Sequence, residues 1–281
     1  MNTLLIFGLG YTGSAIASAA NAAGFSVTGT TRDGADGSLR FDAATDAISA
    51  ATHLLTTAAP DESGDPVLAR YHAAITAAPS LKWIGYLSST VVYGNRDGGW
   101  VDEDTSITPS QPRGHRRAAA EAAWTRFADR HAVDIFRLAG IYGPGRSAFD
   151  DLRAGRTRRM DKPEHRFGRI HRDDIAAAVV TAMRQDRLAG PRVLNLTDDE
   201  PSESAVVVTE AATLLGVPPP PLVTFADALP TMSPMARSFW AESRLVANTK
   251  TKAALGIAWR YPTYREGLRA ILAEERGNRL D

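Results

Sequence analysis

Three glycines within six residues restrict what this chain can become. Residues 4–25 read LLIFGLGYTGSAIASAANAAGF, so an apolar run over 4–7 meets Gly8, Gly10 and Gly13 in a G-x-G-x-x-G frame. Small residues follow, then Gly24 and a second apolar run over 25–27. Strand, glycine turn, helix and second strand is the order that a dinucleotide-binding unit requires. Gly8 permits the tight turn, Gly10 lets the backbone approach a pyrophosphate, and Gly13 lets helix and strand pack closely. The diphosphate then rests on unpaired N–H groups at the helix N-terminus, where the helix dipole favours an anion. A ligand-free glycine turn would carry the same three residues. The strand before them and the Ala-, Ser- and Ile-bearing helix after them favour the nucleotide site.

With 281 residues the chain can bury a sizeable core, as one large domain or two closely joined ones. Its 32 lysines and arginines balance 32 aspartates and glutamates, so no overall field recruits nucleic acid or an acidic membrane surface. The absence of cysteine excludes disulfides, thiolate nucleophiles and Cys-held metal. Six histidines without an H-E-x-x-H spacing lead to the expectation of no metal. The start of the chain lacks the charged segment of a signal peptide, and no apolar run approaches the ~18 residues that span a bilayer. A cytoplasmic protein is expected, acting on a small molecule rather than on nucleic acid or membrane, with homodimerisation left open.

Apolar runs predict strands over 4–7, 26–30, 39–41, 53–57, 83–87 and 133–138. They alternate with helices over 11–22, 43–51, 66–78 and 115–131, which argues for a doubly wound parallel sheet. After the second strand, Thr31, Arg32, Asp33 and Gly34 form a turn. An acidic residue there suits the ribose hydroxyl of NAD, whereas the planar fork of Arg32 suits a 2′-phosphate, so NADP is favoured over NAD. The segment 95–112 is polar, rich in Gly and Pro, and long enough to expect a functional loop. Beyond residue 141 an arginine-dense stretch runs from Arg153 to Arg172. A helix over 173–185 follows, capped by Asp173, and then a strand over 192–197. The run PPPPL reads as a rigid connector, with helices from 202, over about 241–255 and from 264.

The segments FGLGYTG, LSSTVVYG, GWVDEDTSITP, FRLAGIYGPG, FGRIHRDDIAAAV and LNLTDDEPS resemble, in that order, the extended short-chain dehydrogenase/reductases. That is the NAD(P)-dependent epimerase/dehydratase superfamily, and the resemblance continues through SRLVANTKTKAALGIAWRYPTYREGL. It implies an α/β fold, a Rossmann-type doubly wound parallel sheet in strand order 3-2-1-4-5-6 with a smaller C-terminal substrate-binding part. Residues 1–145 would form the NAD(P)-binding domain, 171–197 would return to it, and 146–281 would hold the substrate part. The candidate cofactor contacts are Gly8, Gly10, Tyr11, Thr12 and Gly13 in the glycine turn, Thr31 and Arg32 after the second strand, and Asp42, Ala58 and Ala59 further on.

Chemistry in that family rests on a tyrosine and a lysine in Y-x-x-x-K, an upstream serine or threonine, and an asparagine. A free tyrosine titrates near ~10, and a neighbouring ammonium together with the cationic nicotinamide brings its phenolate within reach. Here Ser89, with Thr90 second, matches the hydroxyl position, and Asp65 takes the asparagine slot. Arg113 takes the tyrosine slot and Arg117 the lysine slot, the chain reading RGHRRAAAE where the family reads close to YGRSKAAAE. A guanidinium has no acceptor and does not deprotonate, so Arg113 cannot be the base. This pattern resembles the atypical branch with an eroded tetrad. A carboxylate beside the cofactor needs a partner, which leads to the expectation that Asp65 approaches Arg113 or Arg117.

Tyr93 is expected to be structural, His115 solvated, and His171 a positioning residue. The arginine-dense stretch either grips a substrate diphosphate or is a solvated loop. Two functions stay open. One is an NADP-dependent epimerase, dehydratase or reductase acting on a sugar, nucleotide-sugar or other small carbonyl or alcohol. The other is a non-catalytic NADP(H)-binding sensor.

Overall fold

A computed structural model describes residues 2–277. Seven parallel strands make the central sheet: β1 (Thr3–Phe7), β2 (Ser26–Thr31), β3 (Leu39–Arg40), β4 (His53–Thr56), β5 (Trp83–Ser89), β6 (Ala132–Leu138) and β7 (Gly190–Leu196). Their spatial order is 3-2-1-4-5-6-7, so the expected six-strand order holds and β7 extends it beyond β6. Alternation along β1 shows why both faces must be covered. Leu4 and Ile6 enter one core cluster, and Leu5 and Phe7 enter the other. Helices α1 (Tyr11–Ala22) and α6 (Arg172–Arg184) cover the first face through Ile16, Ala20, Ile175 and Val179. The opposite face takes α2 (Thr45–Ala50), α3 (Pro66–Ala77) and α4 (Pro112–Thr125) through Ile48, Tyr71 and Trp124.

A smaller core lies beyond the sheet, where α5 (Ala148–Arg153), α7 (Ser204–Leu215) and α11 (Tyr264–Gly277) pack Phe149, Val207, Leu268 and Ile271 around Tyr142. Between them lie α8 (Phe225–Ala228), α9 (Pro234–Trp240) and α10 (Thr249–Leu255). Among the described residues, no helix is long and apolar enough to cross a membrane.

Several expected boundaries need correction. The helix expected over 241–255 occupies only Thr249–Leu255, because Leu245–Val246 is instead a strand paired with Trp100–Val101. That pairing also puts a two-residue strand inside the segment expected to be wholly loop. Phe41 belongs to a 3-10 turn rather than to β3. The cap of α6 is His171, whose ring accepts from the Asp173 N–H at 3.2 Å, while Asp173 and Asp174 lie in the first turn.

Candidate functional site

The glycine turn joins β1 to α1 and its three glycines meet different constraints. Gly8 has φ +101°, and a Cβ there would lie 2.5 Å from the Thr57 hydroxyl. A Cβ on Gly13 would run into the Gly8 carbonyl oxygen, which is the close helix–strand approach the frame demands. Gly10 differs, because a Cβ there would meet nothing within 4 Å. It is also the N-cap of α1 and provides no side-chain cap, so the first N–H groups of the helix keep their donor capacity. An open approach onto uncapped N–H groups fits a dinucleotide diphosphate.

Cavities open on both sides of this turn. The first, about 590 Å³, is bounded by Gly8, Thr31, Arg32, Asp42, Ala58 and Ala59. Asp33 is folded into the turn: backbone N–H groups, then the Thr31 hydroxyl, hold its carboxyl below the usual range. Asp42 is committed to Arg40 by contacts of 3.0 and 3.1 Å, which likewise lower its pKa. Arg32 borders this cavity and, among the described residues, makes no ion pair, its charge acting only weakly on Asp33.

The second cavity, about 320 Å³, brings Gly10, Tyr11, Thr12 and Gly13 together with Ser89 and Arg117. Ser89 ends β5, where its Oγ accepts from the Val91 N–H at 3.3 Å and its own proton is left to donate. Arg117 is pinned to the same strand, Nη1 donating to the Tyr86 hydroxyl at 3.0 Å and to the Leu87 carbonyl at 2.7 Å. Thr90, the second hydroxyl candidate, lines a separate hollow with Phe167, Glu242 and Arg244. Arg113 is not among the residues around the second cavity and makes no hydrogen bond or ion pair among the described residues; its buried Nε has no partner.

The expected pairing of Asp65 with an arginine does not occur. Asp65 is the N-cap of α3, Oδ1 accepting from Val67 N at 2.9 Å and Leu68 N at 3.0 Å. Its Oδ2 accepts from the Trp124 indole at 3.0 Å. Aspartate ahead of Pro66 at the first helical position is itself a cap signature, and that signal outweighs slot arithmetic.

Neighbouring polar groups are structural. Ser88 donates to Glu121 at 2.5 Å, and Glu121 pairs with Arg137 at 2.8 Å, both carboxylate and guanidinium nearly fully buried. Arg137 lies 4.8 Å from the Tyr93 ring centroid, and the Tyr93 hydroxyl donates to Asn195. Burial raises the Tyr93 pKa, so it is no base. His171 is pushed down to about 4 by burial and stays neutral as a cap, while His115 is exposed. Sequence reasoning missed Arg146, which borders the second cavity and lies 5.6 Å from the Tyr11 ring centroid, and missed the Tyr11 hydroxyl bond to the Pro144 carbonyl. The G-P-G turn before Arg146 was the available signal.

No known family profile matches the chain. A solved protein of unknown function from Silicibacter pomeroyi is 42% identical over 98% of this chain and 99% of its own, with a TM-score of 0.89. A Methylobacillus flagellatus structure, provisionally named an NAD-dependent epimerase/dehydratase, is 25% identical over 98% and 99%, with a TM-score of 0.73. Human epimerase family protein SDR39U1, solved with NADPH, shares the fold at TM-score 0.77 and 19% identity over 96% and 98%. Escherichia coli protein YeeZ is 27% identical over 93% of this chain and 97% of its own. A Streptomyces 3-diazoavenalumate denitrifying reductase is 28% identical over 60% and 58%. Its seven-stranded parallel sheet and its glycine turn are those of a Rossmann-type fold, and the chain is similar over nearly its whole length to epimerase/dehydratase-like proteins of the extended short-chain dehydrogenase/reductase superfamily.

Proposed function

We propose that this is a cytoplasmic NADP(H)-dependent reductase of a small carbonyl-type substrate. The observation that carries the reading is the meeting of Ser89, Arg117 and the open face of Gly10 in one cavity. Gly10 to Gly13 would hold the diphosphate and Arg32 the 2′-phosphate; the bound nicotinamide would supply a hydride. Reducing a carbonyl carbon places negative charge on its oxygen. Ser89 offers that oxygen a hydrogen bond, and the Arg117 guanidinium adds a fixed positive charge beside it. Water supplies the proton that completes the alcohol. Among the described residues no carboxylate or imidazole borders this cavity, and burial raises the pKa values of the Tyr11 and Tyr86 phenols. With no acid or base of the protein at that oxygen, water exchanges the proton, and the reduced state of the bound cofactor sets the direction. The name of the Streptomyces relative, a reductase, agrees with that direction.

The test combines binding with turnover. NADPH is expected to bind, and Arg32→Ala to weaken it at least tenfold while leaving NADH within about twofold. A panel of aldehydes and ketones is then screened for NADPH consumption, with Ser89→Ala expected to lower kcat about a hundredfold at unchanged NADPH affinity. Equal losses of NADPH and NADH refute the phosphate role of Arg32. Full activity in Ser89→Ala refutes the oxyanion role.

A further inference from the structure

The cavity of about 320 Å³ that holds Gly10, Tyr11 and Ser89 shares two wall residues, Ile141 and Arg146, with a larger cavity of about 810 Å³. Arg146 is the one charged side chain common to both. It therefore stands where the glycine turn meets the second half of the chain.

Both halves fix its position. Gly143 and Arg146 exchange backbone hydrogen bonds of 3.1 and 3.0 Å across the G-P-G turn, and Ser147, the next residue, opens α5 in a capping box with Asp150. Tyr11, the residue after Gly10, donates its hydroxyl to the Pro144 carbonyl at 3.1 Å. That approach leaves no slack, since a Cβ on Gly143 would lie 2.6 Å from the same hydroxyl. Two guanidiniums lie against the Tyr11 ring, Arg172 at 5.0 Å from its centroid and Arg146 at 5.6 Å. Arg172 is taken, its Nε donating to Asp173 at 3.2 Å. Arg146 is exposed, and among the described residues its guanidinium makes no hydrogen bond or ion pair.

The charge around the smaller cavity is one-sided. Arg117 and Arg146 border it, and among the described residues no carboxylate does. Arg117 is tethered to β5, whereas Arg146 lies over Tyr11, the first residue of α1. Arg146 does not border the cavity of Arg32, where the adenosine end of the cofactor would lie. The phosphate within its reach is therefore the one next to the nicotinamide ribose. A guanidinium fork matches phosphate oxygens, and the uncapped N–H groups of α1 already favour an anion there.

We propose that Arg146 closes over the cofactor's diphosphate from the second half of the chain and grips its nicotinamide-side phosphate, with the Tyr11 ring as its positioning support. The glycine turn then supplies only part of the phosphate site. This rests on the glycine turn being the cofactor site.

NADPH, 2′-phospho-ADP-ribose and 2′,5′-ADP are titrated calorimetrically into the full chain. All carry the adenosine 2′-phosphate, but 2′,5′-ADP ends before the nicotinamide-side phosphate. Arg146→Gln is expected to weaken NADPH and 2′-phospho-ADP-ribose about tenfold and to leave 2′,5′-ADP within about twofold. Arg172→Gln, which removes a charge from the same ring, should leave all three within about twofold. Because the Arg146 guanidinium bonds to nothing in the chain, its variant should fold, and its far-UV spectrum and Tm without ligand check this. An Arg146→Gln protein with wild-type NADPH affinity overturns the proposal and leaves the cofactor reading standing. An equal loss for 2′,5′-ADP, or the same losses in Arg172→Gln, marks a general effect of charge and also overturns it. Failure of the wild type to bind any of the three overturns the cofactor reading itself, and this proposal with it.

Discussion

Arg113 and Arg117 stand one helical turn apart, yet their surroundings separate them. Arg117 is fixed by two bonds to β5 and borders the cavity that holds the glycine turn. Arg113 has no such tether. Identity alone could show that neither replaces a tyrosine base; only placement shows which one can act beside Ser89. Asp198 makes the same point about burial. Its Oδ1 accepts from the Arg169 N–H at 3.3 Å, its Oδ2 is buried without a partner, and burial pushes its pKa up to about 8. Arg169 pulls the value down, while Asp199 and Glu200 push it further up. An unfolded aspartate titrates near ~3.9, so between there and about 8 the native protein holds a proton that the unfolded chain releases. Stability from this group is therefore present at low pH and lost as pH rises through that window. Asp198→Asn removes the titration. Its stability relative to wild type should grow with pH across the window, at a slope of up to about 1.4 kcal/mol per unit. Urea unfolding of both proteins near the acidic and alkaline ends of the window measures it, and a constant difference would refute it.

At the scale of the element, α3 depends on one carboxylate. Asp65→Ala removes the cap from Val67 and Leu68 and strands the fully buried Trp124 indole N–H. A lost cap plus an unsatisfied buried donor should cost about 2–4 kcal/mol. NADPH affinity should not change, since Asp65 does not border either cofactor cavity. Denaturation midpoints and a cofactor titration separate this from a catalytic role, which would reverse the pattern. The error over Asp65 shows where legibility ended. The glycine turn and strands β1 to β6 were readable because an apolar run, a turn residue and a cap act within a few positions of one another. The Trp124 contact joins residues 59 apart, and Leu245–Val246 pairs with a strand far earlier in the chain. Both depend on the assembled sheet, and no local pattern of Asp65 or Leu245 announces them. The Thr90 hollow was hidden for the same reason, since Arg244 reaches back across the chain to Gly94.

For the whole molecule, the connection between its two halves decides what can fold. β6 is an interior strand, paired with β5 on one side and β7 on the other. β7 and α6 come from beyond residue 145, and α6 supplies Ile175, Ala178, Val179 and Met183 to the core that also buries Ile16, Ala20 and Phe136. A chain ending at residue 145 would leave β6 as an exposed edge and one face of the sheet without α6. Unpaired edges and uncovered apolar faces lead to aggregation rather than to a smaller stable domain. The glycine turn and Ile141 would remain in that fragment, but Arg146, which also borders their cavity, would be lost. The 1–145 fragment is therefore expected to show no cooperative thermal transition and no NADPH binding. Coexpression with 146–281 should restore both, because the missing strand and helix need only be present, not covalently joined. Calorimetry and NADPH fluorescence on the fragment and on the coexpressed pair make the comparison. A fragment that unfolds cooperatively and binds NADPH as the full chain does would show that β7 and α6 are additions to the sheet rather than part of what makes it stable.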